Sequence, residues 1–162
     1  MATTKRLVTR NSLAAAMGGA SFAALLLASL TSLEGNSNVG YLDIAGIPTA
    51  CTGDTVNVVV GKFYSDAECH ARLVRQATAH IKDVQRCTPG LTGYQLVAAG
   101  LLTYNIGGAH YCSSTAARRF KAGDRRGGCD AFKLFNRAGG RVVRGLVNRR
   151  AFETEICLRG VA

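Results

Sequence analysis

The feature that most constrains this chain is a 23-residue run without a single charge, from residue 11 to residue 33. Lys5, Arg6 and Arg10 precede the run, and Glu34 follows it directly. As a helix, the run would be about 34 Å long, enough to cross a hydrocarbon core of about 30 Å. Basic residues before an apolar segment hold the N terminus in the cytoplasm. The sequence therefore predicts that the rest of the chain is exported.

The run is only weakly apolar, because Ala, Gly and Ser together outnumber Leu. Small residues recur at every fourth position and form a stripe: Ser12, Ala16, Ala20, Ala24, Ala28 and Ser32. Such a stripe permits close helix packing against another copy or against the protein itself. A cleaved signal peptide with an imperfect cleavage site remains an alternative. Our prediction is a retained, releasable anchor over residues 1–33, followed by a folded domain over residues 34–162.

The cysteines all follow residue 50: Cys51, Cys69, Cys87, Cys112, Cys129 and Cys157. Their number is even, no C-x-x-C pair occurs, and no cysteine–histidine spacing suits a zinc site. In an exported chain this pattern predicts three disulfides rather than buried thiols. The sequence does not resolve the pairing, and our working guess joins consecutive cysteines: Cys51–Cys69, Cys87–Cys112 and Cys129–Cys157. We expect no metal or other cofactor.

The chain after the run divides into a short β-like region and a longer helical one. Residues 39–44, 47–51 and 55–60 are β-branched or aromatic runs, which predict a small antiparallel sheet. Ser65 and Glu68 form a capping-box pattern that begins a long helix ending before Pro89. Residues 91–106 are apolar nearly all round, which predicts a central buried helix, and shorter helices are predicted over 114–122, 126–137 and 148–159. The predicted class is α+β and mainly helical, with a small N-terminal β lobe, a connecting helix and a larger helical lobe.

The net charge of +10 predicts an anionic partner: nucleic acid, anionic lipid or an acidic polymer such as a cell wall. No recognised nucleic-acid motif occurs, so nucleic acid is disfavoured. The cations that would attract a wall or an inner-membrane surface are Arg118, Arg119, Lys121, Arg125, Arg126, Arg141, Arg144, Arg149 and Arg150. Of these, Arg149 and Arg150 also precede Glu153 at helical spacing, which predicts a local ion pair.

The stretch "LEGNSNVGYLDIAGIPTAC" carries two acids and a hydroxyl, Glu34, Asp43 and Thr49, among glycines. Glycoside hydrolysis uses two carboxyl groups, one that donates a proton to the leaving oxygen and one that aligns a water or attacks the sugar. A hydroxyl can help to hold that water. The spacing alone is a weak signal, since Glu34 also fits a boundary charge and Asp43 and Thr49 fit turn residues.

Four blocks together give a specific resemblance. "EGNSNVGYLDIAGIPTACTG" resembles the active-site stretch of the phage-type lysozymes, glycoside hydrolase family 24, whose Glu, Asp and Thr have this spacing. "YSDAECHARL", "LLTYNIGGAHYCSST" and "AGGRVVRGLVNRRAFETEICL" resemble the later blocks of the family in the same order. With the N-terminal run included, the likeness extends to the signal-anchor-release endolysins of lambdoid phages.

The resemblance implies a lysozyme-like fold preceded by a membrane-anchor helix. It implies an endolysin, monomeric when released, that hydrolyses the β-1,4 bond between N-acetylmuramic acid and N-acetylglucosamine in peptidoglycan. Glu34 would be the general acid, and Asp43 and Thr49 would position and activate the attacking water, with inversion. The positions that match the saccharide cleft are Tyr104, Asn105 and Thr115, although Tyr104 fits a core aromatic equally well.

Two positions depart from the family pattern. Pro48 precedes Thr49 where relatives often carry a strand former, and Asp54 stands where they often carry a histidine. We expect these departures to affect fine positioning and stability rather than the reaction. Two other functions stay open, a non-enzymatic cationic protein that binds wall or membrane, and a lytic transglycosylase.

The position of Glu34 directly after the anchor suggests control by the membrane. With residues 11–33 in the inner membrane, Glu34 would be held at the interface, and release to the periplasm would complete the site.

Overall fold

The computed structural model describes residues 12–161, so Lys5, Arg6, Arg10 and Asn11 lie outside the described residues. The helices are α1 (Ala20–Glu34), α2 (Asp66–Cys87), α3 (Gly93–Ile106), α4 (Gly108–Cys112), α5 (Thr115–Lys121), α6 (Arg125–Asp130) and α7 (Arg144–Arg159), with a 3-10 helix over Ala131–Leu134. The strands are β1 (Ser37–Leu42), β2 (Pro48–Cys51), β3 (Arg137–Ala138) and β4 (Arg141–Val142). Helices dominate, as predicted.

The uncharged run is broken near its middle. Residues 12–16 are helical, residues 17–19 form a turn, and α1 begins at Ala20. Gly18 and Gly19 have φ angles of 74° and 153°, which glycine adopts without steric cost. Within residues 12–161 no helix is both long and apolar enough to cross a bilayer. The predicted membrane-anchor helix is therefore not confirmed.

Helix α1 packs into the protein with its larger side chains. Its buried residues are Ala23, Leu26, Ser29 and Leu30, which belong to the face that meets α3. The small-residue stripe is exposed at Ala20, Ala24, Ala28 and Ser32. The idea that the stripe packs on the protein is therefore wrong, because burying leucines removes more apolar surface from water than burying alanines.

Strands β1 and β2 form an antiparallel hairpin, with Tyr41 opposite Thr49 and Leu42 opposite Pro48. Pro48 is thus the first residue of an outer strand, where a missing N–H costs no ladder hydrogen bond. The prediction of a third strand over residues 55–60 is wrong, since the chain forms turns there. Isolated bridges join Val39 to Phe63 and Ala50 to Asp54 instead.

Helices α2 and α3 form the centre of the molecule, as predicted. The Ser65 side chain accepts a hydrogen bond from the backbone N–H of Glu68, and the Glu68 carboxylate accepts one from the backbone N–H of Ser65. The face of α2 that the spacing predicted is buried: Leu73, Val74, Ala77, Ile81 and Val84. Every residue of α3 from Gln95 to Thr103 is buried, so α3 is the predicted central helix.

The C-terminal lobe differs from prediction in its connections. The helix predicted over residues 126–137 ends as the 3-10 helix, and a two-residue hairpin of β3 and β4 follows. Gly139 and Gly140 form its turn with φ angles of 56° and 76°, the positive values that tight hairpin turns require. Helix α7 begins at Arg144, earlier than predicted.

Three disulfides are present, and the working guess is confirmed. Cys51–Cys69 joins β2 to α2, Cys87–Cys112 joins the end of α2 to α4, and Cys129–Cys157 joins α6 to α7. The first of these fixes the β1–β2 hairpin on the helical lobe.

Candidate active site

Glu34 is the last residue of α1 and faces α7. Its Oε1 lies 2.7 Å from Arg149 Nη2, and its side chain is 21% exposed. The angles of this contact do not make a hydrogen bond, and Oε1 has no hydrogen-bond partner among the described residues. Glu34 is thus a partly buried carboxyl group whose Oε1 faces one cation.

Arg149 links Glu34 to a buried charge pair on α7. Its Nε lies 3.0 Å from Glu153 Oε1, as the i,i+4 spacing predicted. Glu153 also contacts Arg150, whose Nε lies 3.0 Å from Glu153 Oε2, and both side chains are almost completely buried. The Nη2 of Arg150 donates to Asn105 Oδ1 at 2.8 Å. The predicted site residues Glu34 and Asn105 are therefore connected through α7.

Burial acts on both members of that pair. It raises the pKa of Glu153, against the opposing effect of Arg150 and Arg149. It also lowers the pKa of Arg150, which Glu153 counters. Burial thus disfavours the charged form of each group, and the oppositely charged neighbour favours it.

Asp43 and Thr49 lie in the β1–β2 hairpin and make their contacts there. Asp43 Oδ1 accepts hydrogen bonds from the backbone N–H groups of Ala45 and Ile47, at 2.8 and 2.9 Å. The Thr49 hydroxyl donates to the Ile47 carbonyl at 3.0 Å, and Thr49 is buried. Both side chains are held by the hairpin turn, so their positions depend on where the hairpin sits.

Asp54 fixes the hairpin to α2. Its buried carboxylate accepts from Arg72 at 2.6 Å, from Arg75 at 2.7 Å and from Gln76 at 2.9 Å. Two backbone hydrogen bonds of 2.9 Å join Asp54 to Ala50, the neighbour of Thr49. Burial alone would raise the pKa of Asp54, but the hydrogen bonds, that from Arg72 foremost, hold it below its ordinary value. The residue that departs from the family pattern is thus an anchor of the Thr49 strand.

Tyr104 is half-buried at the end of α3 and is part of the same anchor. Its hydroxyl lies 2.7 Å from the Thr52 carbonyl and within hydrogen-bonding distance of Gln76 Oε1. Burial raises the pKa of Tyr104, and the negative charge of Glu34 raises it further, so the phenol stays neutral. The hydroxyl of Tyr104 therefore contacts groups inside the protein, which agrees with the alternative prediction that Tyr104 is a structural core aromatic.

The last predicted saccharide contact, Thr115, and several of the predicted surface cations lie in different environments. Thr115 Oγ1 accepts from its own helix neighbour Arg118 at 3.3 Å, and no other contact joins Thr115 to the described site. Among the predicted surface cations, Arg150 is buried and the side chain of Arg149 is only 9% exposed. Arg125 also contacts the interior through Gln95 and the Gly90 carbonyl.

Sequence reasoning missed two features of the site. It predicted Arg149 as a partner of Glu153 but not of Glu34, because no local spacing connects opposite ends of a chain. It also noted Asp54 only as a departure. The arginines at positions 72 and 75 lie on one face of α2 and were the available signal for an acidic partner.

Comparison with known proteins places this geometry in a family. Residues 31–153 match the phage lysozyme family. The SAR-endolysin of Enterobacteria phage PA-2 is 36% identical, over 93% of this chain and 96% of that protein. The SAR-endolysin of Pseudomonas phage phiKMV is 38% identical, over 86% and 89%. The solved endolysin from Escherichia coli O157:H7 phage FAHEc1 is 28% identical, with a TM-score of 0.75 over 84% of this chain and 92% of that one.

The family match covers most of the chain and includes Glu34, Asp43, Thr49 and the α7 charge pair. The full-length relatives extend the likeness into the uncharged run. This chain belongs to the phage lysozyme family.

Proposed function

We propose that this endolysin, a muramidase by its family and relatives, hydrolyses the β-1,4 bond between N-acetylmuramic acid and N-acetylglucosamine with Glu34 as the general acid. The observation that carries the assignment is the environment of Glu34. A general acid must keep its proton until the leaving oxygen accepts it. Partial burial, with one misaligned cation as partner, supports that role better than a full set of donors would.

Asp43 and Thr49 position and activate the water. Asp43 uses Oδ1 to accept two backbone hydrogen bonds, which hold the carboxylate in one orientation. Its other oxygen can accept from a water, and the hydroxyl of Thr49 is a second contact for that water. Water attack from the face opposite the acid leads to inversion at the anomeric carbon.

In this proposal the saccharide chain binds between the hairpin and the helical lobe, near the end of α3. Asn105 is exposed and its amide is oriented by Arg150, which supports a sugar contact. For Tyr104 we propose contact through the ring, since its hydroxyl is engaged internally. Thr115 remains the most remote of the proposed contacts.

Product analysis on purified peptidoglycan tests the reaction. Glu34→Gln should lower the release of reducing ends at least about 1,000-fold, because the carboxamide cannot donate the proton. Glu155→Gln is the matched control, since Glu155 is a 69% exposed residue of α7 that forms a surface ion pair with Arg159. Mass spectrometry should find hydrated, not anhydro, muramic ends. Anhydro ends would make the protein a lytic transglycosylase, and activity of Glu34→Gln would remove Glu34 from the role of acid.

We further propose that residues 1–33 tether the exported protein to the inner membrane and that residues 34–162 form the catalytic domain released to the periplasm. Two observations support this. The uncharged run has basic residues before it, and its helix α1 ends at Glu34. The same residues cannot be buried against α3 and inside a bilayer at once. Withdrawal of α1 into the membrane would therefore separate Glu34 from Arg149.

Fractionation tests the tether. Membrane-bound protein should show far lower specific muralytic activity than released protein of the same sequence. Equal activity in the two fractions would reject the tethering mechanism while leaving the hydrolytic assignment intact.

A further inference from the structure

Helix α7 carries a buried carboxylate that the proposed reaction does not use. Glu153 is 0% exposed, and its ion pairs and hydrogen bonds are with Arg149 and Arg150 of its own helix. It lies between two guanidinium groups, those of Arg149 and Arg150, and the first of these reaches the Glu34 carboxyl. Glu34 and Glu153 are thus the two carboxyl groups around two neighbouring cations.

Buried ion pairs seldom add stability, because removing two charges from water costs about as much as their attraction returns. A group of four in the interior therefore calls for a role beyond stability. Its effect on Glu34 follows from charge. Each unbalanced cation near Glu34 would favour loss of its proton, and each unbalanced anion would favour its retention.

Among the described residues, charged and titratable groups that interact with Glu34 lie on two helices. From α7 they are Arg149, Arg150 and Glu153, and from α3 the neutral phenol of Tyr104. Asp54, which also acts on Tyr104, is balanced by Arg72 and Arg75 on α2. With Glu34 protonated, the α7 group carries two positive charges and one negative charge. Without Glu153 it would carry two uncompensated positive charges.

We propose that Glu153 is a positioning residue that balances Arg149 and Arg150, so that Arg149 orients Glu34 without stripping its proton. This rests on the proposed role of Glu34 as the acid. Arg150 is the second cation that Glu153 balances. Its 2.8 Å hydrogen bond to Asn105 connects this charged group to the end of α3 where the substrate is proposed to bind.

The experiment measures kcat/KM on soluble peptidoglycan fragments against pH for three variants. Glu153→Gln adds one net positive charge, so the alkaline limb of the profile should move down by about one pH unit, which is a tenfold loss of activity on that limb. Arg150→Gln removes one positive charge, so the alkaline limb should move to higher pH by a similar amount. The double variant restores the balance, and its limb should return to the wild-type position. Glu155→Gln is the control that removes an exposed charge from the same helix.

A purely structural role would give a different pattern. Loss of kcat/KM that is equal at all pH values in Glu153→Gln, or a double variant that fails to return to the wild-type limb, would overturn the proposal. If Glu153→Gln does not fold, as judged by thermal melting, Arg150→Gln decides, because only charge balance predicts its upward shift. The proposed function fails separately, through an active Glu34→Gln.

Discussion

Replacing Asp54 by asparagine should loosen the hairpin that carries Asp43 and Thr49. The carboxylate is 1% exposed, and its partners Arg72 and Arg75 are 16% and 50% exposed. Removing one partner of a buried pair costs about 3–5 kcal/mol, but the exposed Arg75 is screened by water and adds little. We therefore expect a loss of about 2–3 kcal/mol, which is a fall in Tm of about 4–12 °C for a chain of this length.

The stability that the Asp54 carboxylate contributes should depend on pH in a defined direction. Burial opposes ionisation of Asp54, yet the hydrogen bonds from Arg72 and its neighbours hold the folded pKa below the unfolded value. The carboxylate thus adds stability above about pH 4, and this is lost as the pH falls through the lower folded pKa. The difference between wild type and Asp54→Asn should be largest near neutral pH and should shrink in acid.

The assay is denaturant unfolding at pH 7 and pH 3 with the disulfides intact. Asp130→Asn is the control, because Asp130 is 43% exposed and pairs with Lys133 at 3.4 Å, a surface contact worth less than about 1 kcal/mol. If Asp54→Asn is as stable as the control at pH 7, or if its deficit is the same at both pH values, the electrostatic anchor is refuted.

Three further predictions concern the same architecture. Leu26→Ala should cost about 3 kcal/mol in denaturant unfolding, because Leu26 is fully buried between α1 and α3; an unchanged midpoint would contradict the docking of α1. Tyr104→Phe should lower the unfolding free energy by about 1 kcal/mol, because the contact with the Thr52 carbonyl is lost. The KM for peptidoglycan fragments should change less than about threefold. A large rise in KM would show instead that the hydroxyl contacts the substrate. Replacing Cys51 and Cys69 together by serine should cost about 3 kcal/mol in the same assay, since their 18-residue separation gives a loop of moderate size; no loss would mean that this crosslink is dispensable.

The local features of the fold were predictable from the sequence. The capping box of Ser65 and Glu68, the buried face of α2 and the buried α3 follow from nearest-neighbour chemistry and helical spacing. The failures have a common cause. Residues 55–60 have β-branched side chains but find no strand partner. Gly18 and Gly19 break the uncharged run that was predicted as one helix, and Gly139 and Gly140 form a hairpin turn between two predicted helices.

For the candidate site, the sequence proposed residues but not their contacts. Glu34, Asp43 and Thr49 were proposed from spacing and resemblance, and Glu34 and Asn105 contact two neighbouring arginines of α7, Arg149 and Arg150 respectively. The sequence did not indicate which side chain would face Glu34. It also left Tyr104 open between a sugar contact and a core aromatic, and the contact of its hydroxyl with Thr52 depends on how α3 packs against the hairpin.

The sequence by itself determined that this chain carries an uncharged N-terminal run, three disulfides' worth of cysteines and the blocks of a phage lysozyme. Each of these is a pattern of residue types along the chain. Only the tertiary structure decided that leucines rather than the small-residue stripe of α1 are buried, that Asp54 anchors the Thr49 strand, and that Arg149 lies between Glu34 and Glu153. These three features depend on which surfaces meet when the hairpin, α1, α2, α3 and α7 pack together. The charges around Glu34 and Glu153 depend on distances between residues far apart in the sequence, and spacing along the chain does not give those distances.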